Sequence, residues 1–338
     1  MKKYMMPLVL VILIAGGVYF NNILKDDTKL ADCGDITIAN MNWASAQAIA
    51  EIDKIILTHG YNCNVELVPG DTVPTFTSMN EKGAPDVAPE LWSNSLRIPL
   101  DVAKEEGRLI ASDVFSQGGE EGWFIPEATL TANPELKTWE DVIARPDLFP
   151  NPENPDRGAL VGCPAGWACQ IINQNLYKAY GMEAKGWDLI DPGSSAGLDA
   201  LINKAVNDGD NILSYYWAPT AILGKLPMYM LEPNVDHDKS EWETCTGVAD
   251  CADPKVNAWG FSYVETVVTD NFAKEASVGL DYITNRSFGN ATLNTLLAWM
   301  ADNQATGEEA AIYYLQNNQD DWSGWVSKDV KKAVLAAL

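Results

Sequence analysis

Histidine is nearly missing from this chain of 338 residues, which has only His59 and His237. A His-rich metal site, or two separate histidine-based catalytic centres, is therefore excluded. Asp236-His237-Asp238 stands in a polar loop without further spaced ligands, so no metal is expected there. Basic residues are scarce too: 23 Lys and Arg face 47 Asp and Glu, a net charge of −24. Nucleic acid and anionic membrane surfaces would repel such a chain. Internal repeats and low-complexity tracts are absent, and so is a long apolar run. The longest covers residues 7–20, too short for a comfortable membrane span and suited to the apolar core of an export signal behind Lys2 and Lys3. No A-x-A cleavage site follows, which leaves an uncleaved membrane anchor as the alternative. Residues 1–30 are read as signal peptide or anchor plus a polar linker.

The six cysteines contain no C-x2-C pair, which argues against zinc. In an exported chain they imply disulfides and an oxidising space outside the cytoplasm. Six cysteines allow about 15 connectivities. Local spacing suggests Cys33–Cys63, Cys163–Cys169 and Cys245–Cys251. The length is comfortable for two domains, and 47% hydrophobic residues is the composition of a globular protein. The aromatic mix is odd, with 12 Trp against 8 Phe. Core packing alone rarely asks for that, because each buried indole N–H needs a partner.

Apolar spacing predicts strands at 35–41, 64–68 and 86–92, with helices at 46–59 and 72–82 between them, the first closed by Gly60. His59 reads as a residue of that helix's last turn. This β-α-β-α-β order is an open parallel sheet. A helix over 99–109, a crossing strand over 115–125 and a proline-rich loop over 146–157 follow. A short strand at 159–162 leads into a loop and a helix over 171–180. A helix over 198–208 and strands at 211–217 and 263–268 come next, separated by an acidic irregular stretch. The rest is helical: 271–284, 290–303, 307–317, and 328 to the end.

Trp43, Trp92 and Trp217 each fall where a predicted strand ends. Trp167 sits at the matching place after a short strand, between Cys163 and Cys169. Open α/β sheets bind ligands at the carboxyl ends of strands. A trimethylammonium head has no N–H to donate, so ring faces must hold it, each worth roughly 0.5–2 kcal/mol when desolvated. The backbone N–H groups of Ala168 and Cys169, at a helix start, suit a carboxylate or N-oxide at the ligand's other end. Glu90 and Glu121, each close to a tryptophan, are candidates to neutralise the cation, and Trp123 is a candidate further wall. The remaining seven tryptophans, Trp139, Trp187, Trp242, Trp259, Trp299, Trp322 and Trp325, are assigned to packing. Aromatic platforms also stack on sugars, which makes a sugar receptor the alternative. A sugar site needs several polar side chains around the rings, and these motifs offer few. No nucleophile motif or phosphate loop points to an enzyme.

Gly162-Cys163-Pro164-Ala165-Gly166-Trp167-Ala168-Cys169 resembles the disulfide-pinned tryptophan loop of glycine betaine-binding proteins, the periplasmic receptors of ABC importers for osmolytes. Glu90-Leu91-Trp92, Tyr215-Tyr216-Trp217-Ala218-Pro219 and Trp322-Ser323-Gly324-Trp325-Val326 resemble further segments of that family, in the same order. The resemblance implies a type II-like periplasmic binding protein: two α/β lobes joined by a two-strand hinge, with ligand in the cleft. Residues 31–122 and 259–338 would form lobe 1 and residues 123–258 lobe 2. It implies a monomer without cofactor or metal that captures a small methylated amine and passes it to a membrane permease. The location would be periplasmic, with a tether to the inner membrane through residues 7–20 as the alternative. Some relatives carry a histidine four residues after the tryptophan matching Trp92, where this chain has Leu96. Met41-Asn42-Trp43-Ala44-Ser45 resembles the trimethylamine N-oxide-binding branch more closely. Glycine betaine, choline and dimethylsulfoniopropionate stay as alternatives.

Overall fold

The computed structural model describes residues 33–338, so the export segment expected over residues 1–30 lies outside the described residues. β1 (Asp35–Met41) alternates, with Ile36 and Ile38 turned into the core. It runs parallel to β2 (Asn64–Gly70) on one side and β3 (Val87–Trp92) on the other. β3 is buried along its whole length, as a strand covered on both faces must be. The predicted parallel arrangement holds for these three strands. The sheet as a whole is mixed, because β11 (Val264–Thr269) returns from late in the chain and inserts antiparallel between β3 and β4 (Leu109–Asp113). The order is β2-β1-β3-β11-β4.

Two local predictions shift here. The helix expected to run to residue 109 ends at Glu105 (Arg97–Glu105), because Gly107 turns the chain at φ +71° and β4 follows. Gly60 does not close its helix, which spans Ala44–Tyr61 and is capped by Asn62 in the left-handed region. Gly60 is small for a packing reason: a Cβ there would meet Val330 Cγ1 at 2.6 Å. The Lys328–Ala337 helix rests on it, and the Gly307–Asn317 helix packs on the same helix. The predicted spans 72–82, 290–303 and 307–317 coincide with the observed helices. The helix expected over 271–284 is two, Asp270–Glu275 and Ser277–Asn285, broken at Ala276.

The second sheet runs β10-β5-β9-β7-β6, with β8 beside β7. Its strands are β5 (Glu120–Pro126), β6 (Pro150–Asn151), β7 (Asn154–Val161), β8 (Trp187–Ile190), β9 (Leu213–Ala218) and β10 (Met228–Met230). The proline-rich stretch predicted as loop thus supplies β6 and the start of β7. β9 lies between β5, antiparallel, and β7, parallel. The segment predicted as a strand from residue 115 becomes regular only at Glu120, after a turn closed by Gly118 N–H on the Phe115 carbonyl at 3.1 Å. The two crossings between sheets meet where Gly119 N–H donates to the Ser262 carbonyl at 2.9 Å.

All three locally spaced disulfides are present: Cys33–Cys63, Cys163–Cys169 and Cys245–Cys251. The first joins the residues just ahead of β1 and β2. A buried ion pair fastens the returning chain to the first sheet. Arg286 donates through Nε and Nη2 to the two oxygens of Asp53, both at 2.6 Å, and Tyr282 donates to Asp53 Oδ1 at 2.6 Å. Arg286 Nη2 also reaches the Pro89 carbonyl on β3. Removing one partner strands a buried charge, so Asp53→Ala is expected to cost about 3–5 kcal/mol in urea denaturation. A loss below about 1 kcal/mol would show that the pair does not fasten the two segments.

Candidate ligand-binding site

Strand ends place the four tryptophans. Trp43 follows β1 and is the N-cap of the Ala44–Tyr61 helix, and Trp92 is the last residue of β3. Trp167 is the N-cap of the Ala168–Ala179 helix, and Trp217 stands one residue before the end of β9. All four line one cavity of about 270 Å³, together with Thr72, Glu121, Ala168, Cys169 and Tyr215. Trp167 stands roughly perpendicular to two of the others. Its ring centroid is 5.2 Å from that of Trp43 at 71°, and 5.1 Å from that of Trp217 at 83°. Trp92 lies on the backbone of the crossing segment, where a Cβ on Gly119 would come within 2.4 Å of the indole. Only glycine lets that wall sit there.

The Trp167 loop belongs to the second sheet and docks on the first. Trp167 Nε1 donates to Asn42 Oδ1 at 2.7 Å, and Val73 N–H donates to the Gly166 carbonyl at 3.1 Å. Asn42 in turn donates to Asp71, the N-cap of the Thr72–Lys82 helix. Burial raises the Asp71 carboxyl above the usual range, although the Asn42 and Trp167 bonds oppose this. Gly166 adopts φ +91° with Asp71 3.4 Å from its Cβ position. The lobes are therefore closed over the cavity.

The two glutamates take different places. Glu121 lines the cavity and accepts from Tyr215 at 2.7 Å, Ser262 at 2.7 Å and Asn94 at 3.1 Å. These partners come from the second sheet, the crossing and the turn after β3. Burial pushes the Glu121 carboxyl up to about 7 against the pull of the three bonds. Glu90 does not line the cavity. It lies behind two of its walls, where Oε1 accepts from Trp43 Nε1 at 2.6 Å, Trp92 Nε1 at 2.8 Å and Ser45 Oγ at 3.0 Å. It is fully buried, and burial pushes it up to about 7 as well.

Trp123 is also away from the cavity. It is buried in the second lobe against Trp139 at 4.4 Å, and its Nε1 donates to Asn173 Oδ1 at 2.7 Å. Asn173 Nδ2 donates to the Cys169 carbonyl at 2.9 Å and lies 3.2 Å from Cys163 Sγ. Trp123 thus underpins the bridged loop from below. Trp259, expected to pack, does so against the cavity residue Tyr215, with ring centroids 5.6 Å apart. Ala168 and Cys169 open a helix of 12 residues, whose first-turn N–H groups have no intrahelical acceptor and carry the positive end of the helix dipole.

Sequence reasoning missed Thr72 and Tyr215. Tyr215 is two residues before Trp217 on one strand, so the two share a face. That spacing was a usable signal. Thr72 gave none, since its place depends on the second lobe approaching the start of its helix. The site combines ring faces, one titratable carboxyl and two helix-start amides in one cavity. It can hold a small ligand with a methylated cationic head and a compact oxygen-bearing end.

Residues 34–317 match the family described as the substrate binding domain of ABC-type glycine betaine transport systems, OpuAC. The trimethylamine N-oxide-binding protein of Pelagibacter ubique (strain HTCC1062) is 20% identical over 293 residues, covering 85% of this chain and 89% of that protein. Among solved structures, the glycine/betaine/L-proline-binding protein ProX from Borrelia burgdorferi aligns with a TM-score of 0.70 at 14% identity, over 89% of this chain and 99% of that one. An ABC-transporter choline binding protein in complex with choline gives 0.70 at 18% identity, over 90% and 98%. These solved structures share the two-lobed, type II binding-protein fold. The chain belongs to the family of substrate-binding domains of ABC-type glycine betaine transport systems.

Proposed function

We propose that this protein captures a small methylated ammonium compound between its lobes and delivers it to the permease of an ABC importer. The observation that carries this is the Trp167 loop, which projects from one lobe against the other and completes a cavity with Trp43, Trp92 and Trp217. Ring faces at such angles surround a cation that has no N–H to donate, and cation–π attraction holds it. Glu121 supplies the one carboxyl in the lining. The first-turn amides of Ala168 and Cys169 face the ligand's oxygen end. The lobes are taken as residues 31–122 with 259–338, and residues 123–258.

Family membership supports reading this as a transport receptor that works outside the cytoplasm. Its three disulfides suit that compartment. A periplasmic location, with residues 7–20 as leader or tether, is the finer reading. Among ligands, trimethylamine N-oxide fits first, as the Pelagibacter relative's name also suggests. Leu96 is buried and outside the lining, and offers no contact to a carboxylate. A sugar would need more free polar groups than Thr72, Glu121 and Tyr215, two of which already bond each other.

Titration with trimethylamine N-oxide, choline and glycine betaine is expected to change tryptophan fluorescence. Trp167→Ala is expected to weaken binding by about 30-fold or more, the worth of one desolvated ring face. No response of the wild type to any methylamine or betaine at millimolar concentration overturns the proposal.

The Glu121 carboxyl, raised to about 7, is neutral below that pH and ionised above it. A protonated Glu121 donates to an N-oxide oxygen, and an ionised one attracts a permanent cation. Calorimetry from pH 5.5 to 8.5 is therefore expected to show N-oxide affinity falling and choline affinity rising through about pH 7. Glu121→Gln keeps a donor and cannot ionise, so it is expected to retain N-oxide affinity at pH 8. Parallel pH profiles for the two ligands would contradict this role.

A further inference from the structure

Glu90 is the most completely buried acid near the site, yet it touches no space a ligand can reach. Its position on β3, two residues before Trp92, turns both side chains to one face of the strand. Ser45 and Trp43 reach it from the start of the neighbouring helix. Three donors converge on Oε1, and two of them are the indole N–H groups of cavity walls. Oε2 meets no protein donor among the described residues. Two of the three hydrogen bonds of this carboxyl therefore go to the two rings and the third to Ser45.

The charged groups packed around Glu90 leave it free to act this way. Arg286 faces it from the segment after the Ser277–Asn285 helix, but its guanidinium is bidentate on Asp53 of the Ala44–Tyr61 helix. Tyr282 donates to the same Asp53. Asp53 thus holds Arg286 through Nε and Nη2, while Arg286 Nη1 and Glu90 Oε2 each meet no hydrogen-bond partner among the described residues. Burial raises its carboxyl, and the Trp92, Trp43 and Ser45 bonds together with Arg286 hold it down to about 7.

We propose that Glu90 is a positioning residue and remote counter-charge of the cavity: through one oxygen it sets the planes of Trp43 and Trp92 and, when ionised, enriches their ring faces for a cation without touching it. Charge-assisted N–H···O⁻ bonds are stronger than neutral ones and polarise the donor. Cation–π attraction depends on the negative potential of the ring face. An acceptor behind the ring therefore strengthens attraction in front of it. The device adds to the preference that the ring faces themselves have for a methylated cation over a neutral molecule of the same shape. This inference rests on the reading of the cavity as a methylated-ammonium site.

Glu90→Gln keeps an acceptor for the indoles and removes the charge. Binding of choline and of its neutral isostere 3,3-dimethylbutan-1-ol is compared by calorimetry, for wild type and variant, from pH 5.5 to 8.5. At pH 8 the variant is expected to lose about tenfold in choline affinity, on the scale of one cation–π contact, with the alcohol changed by less than about twofold. At pH 5.5, where wild-type Glu90 is neutral, the two proteins are expected to converge. Ultraviolet resonance Raman spectra of ligand-free wild type are expected to show strengthening indole N–H bonds as pH rises through about 7. That change is expected to persist in Glu121→Gln and vanish in Glu90→Gln. The wild-type spectra decide the matter even if the variant fails to fold. Equal losses for choline and alcohol, or a pH-independent indole signature, overturn the counter-charge role. A wild type that binds no methylated ammonium overturns the cavity reading and this role with it, whereas one that binds choline with an unaltered choline-to-alcohol preference in the variant overturns this role alone.

Discussion

A buried indole is stabilised by giving its N–H to an acceptor, and that preference arranges three of the four walls of the site. Trp43 and Trp92 give theirs to one oxygen of Glu90, and Trp167 gives its to Asn42. Each bond fixes a ring in its plane and points the N–H edge away from the cavity. What remains toward the ligand is the ring face, the part that attracts a cation. The acceptors lie on the first lobe for all three rings, although Trp167 comes from the second. The same preference that orients these walls therefore also fastens the lobes together.

Closure brings a carboxyl to the seam. Glu121 collects donors from the second sheet, from the turn after β3 and from the crossing between the sheets, so its bonds are complete only when the lobes are set as they are here. The bridged Cys163–Cys169 loop enters that seam already shaped. Asn173 holds it from beneath, with Trp123 behind Asn173. A rigid loop has less conformational freedom to lose on binding, which leaves more of the contact energy for the ligand.

Much of this was legible in the chain. The disulfides were readable because each pair is local or joins the starts of adjacent parallel strands. The tryptophans were readable because strand ends can be located from alternation, and ligands gather there. The antiparallel insertion of β11 was not, since apolar spacing does not record which distant strand pairs with which. Gly60 misled because a glycine near a helix end has two physical meanings, a left-handed cap or room for a neighbour. Here Val330 decides for the second. Glu90 was readable as important by its nearness to Trp92, but whether it faced the ligand or the backs of the rings depends on three-dimensional packing. Trp123 likewise stands two residues after Glu121 on β5, on the same face of the strand, and still ends in the core, beneath the loop it supports.

The central claim is that the four tryptophans enclose a methylated ammonium head. A crystal structure of the protein grown with trimethylamine N-oxide tests it most directly. The account places the ligand nitrogen within about 6 Å of the ring centroids of Trp43, Trp92, Trp167 and Trp217, the range of cation–π contact. Its oxygen points toward Glu121 or the amides of Ala168 and Cys169. A ligand seated outside this cavity, or with its methyl groups turned away from the rings, would contradict it.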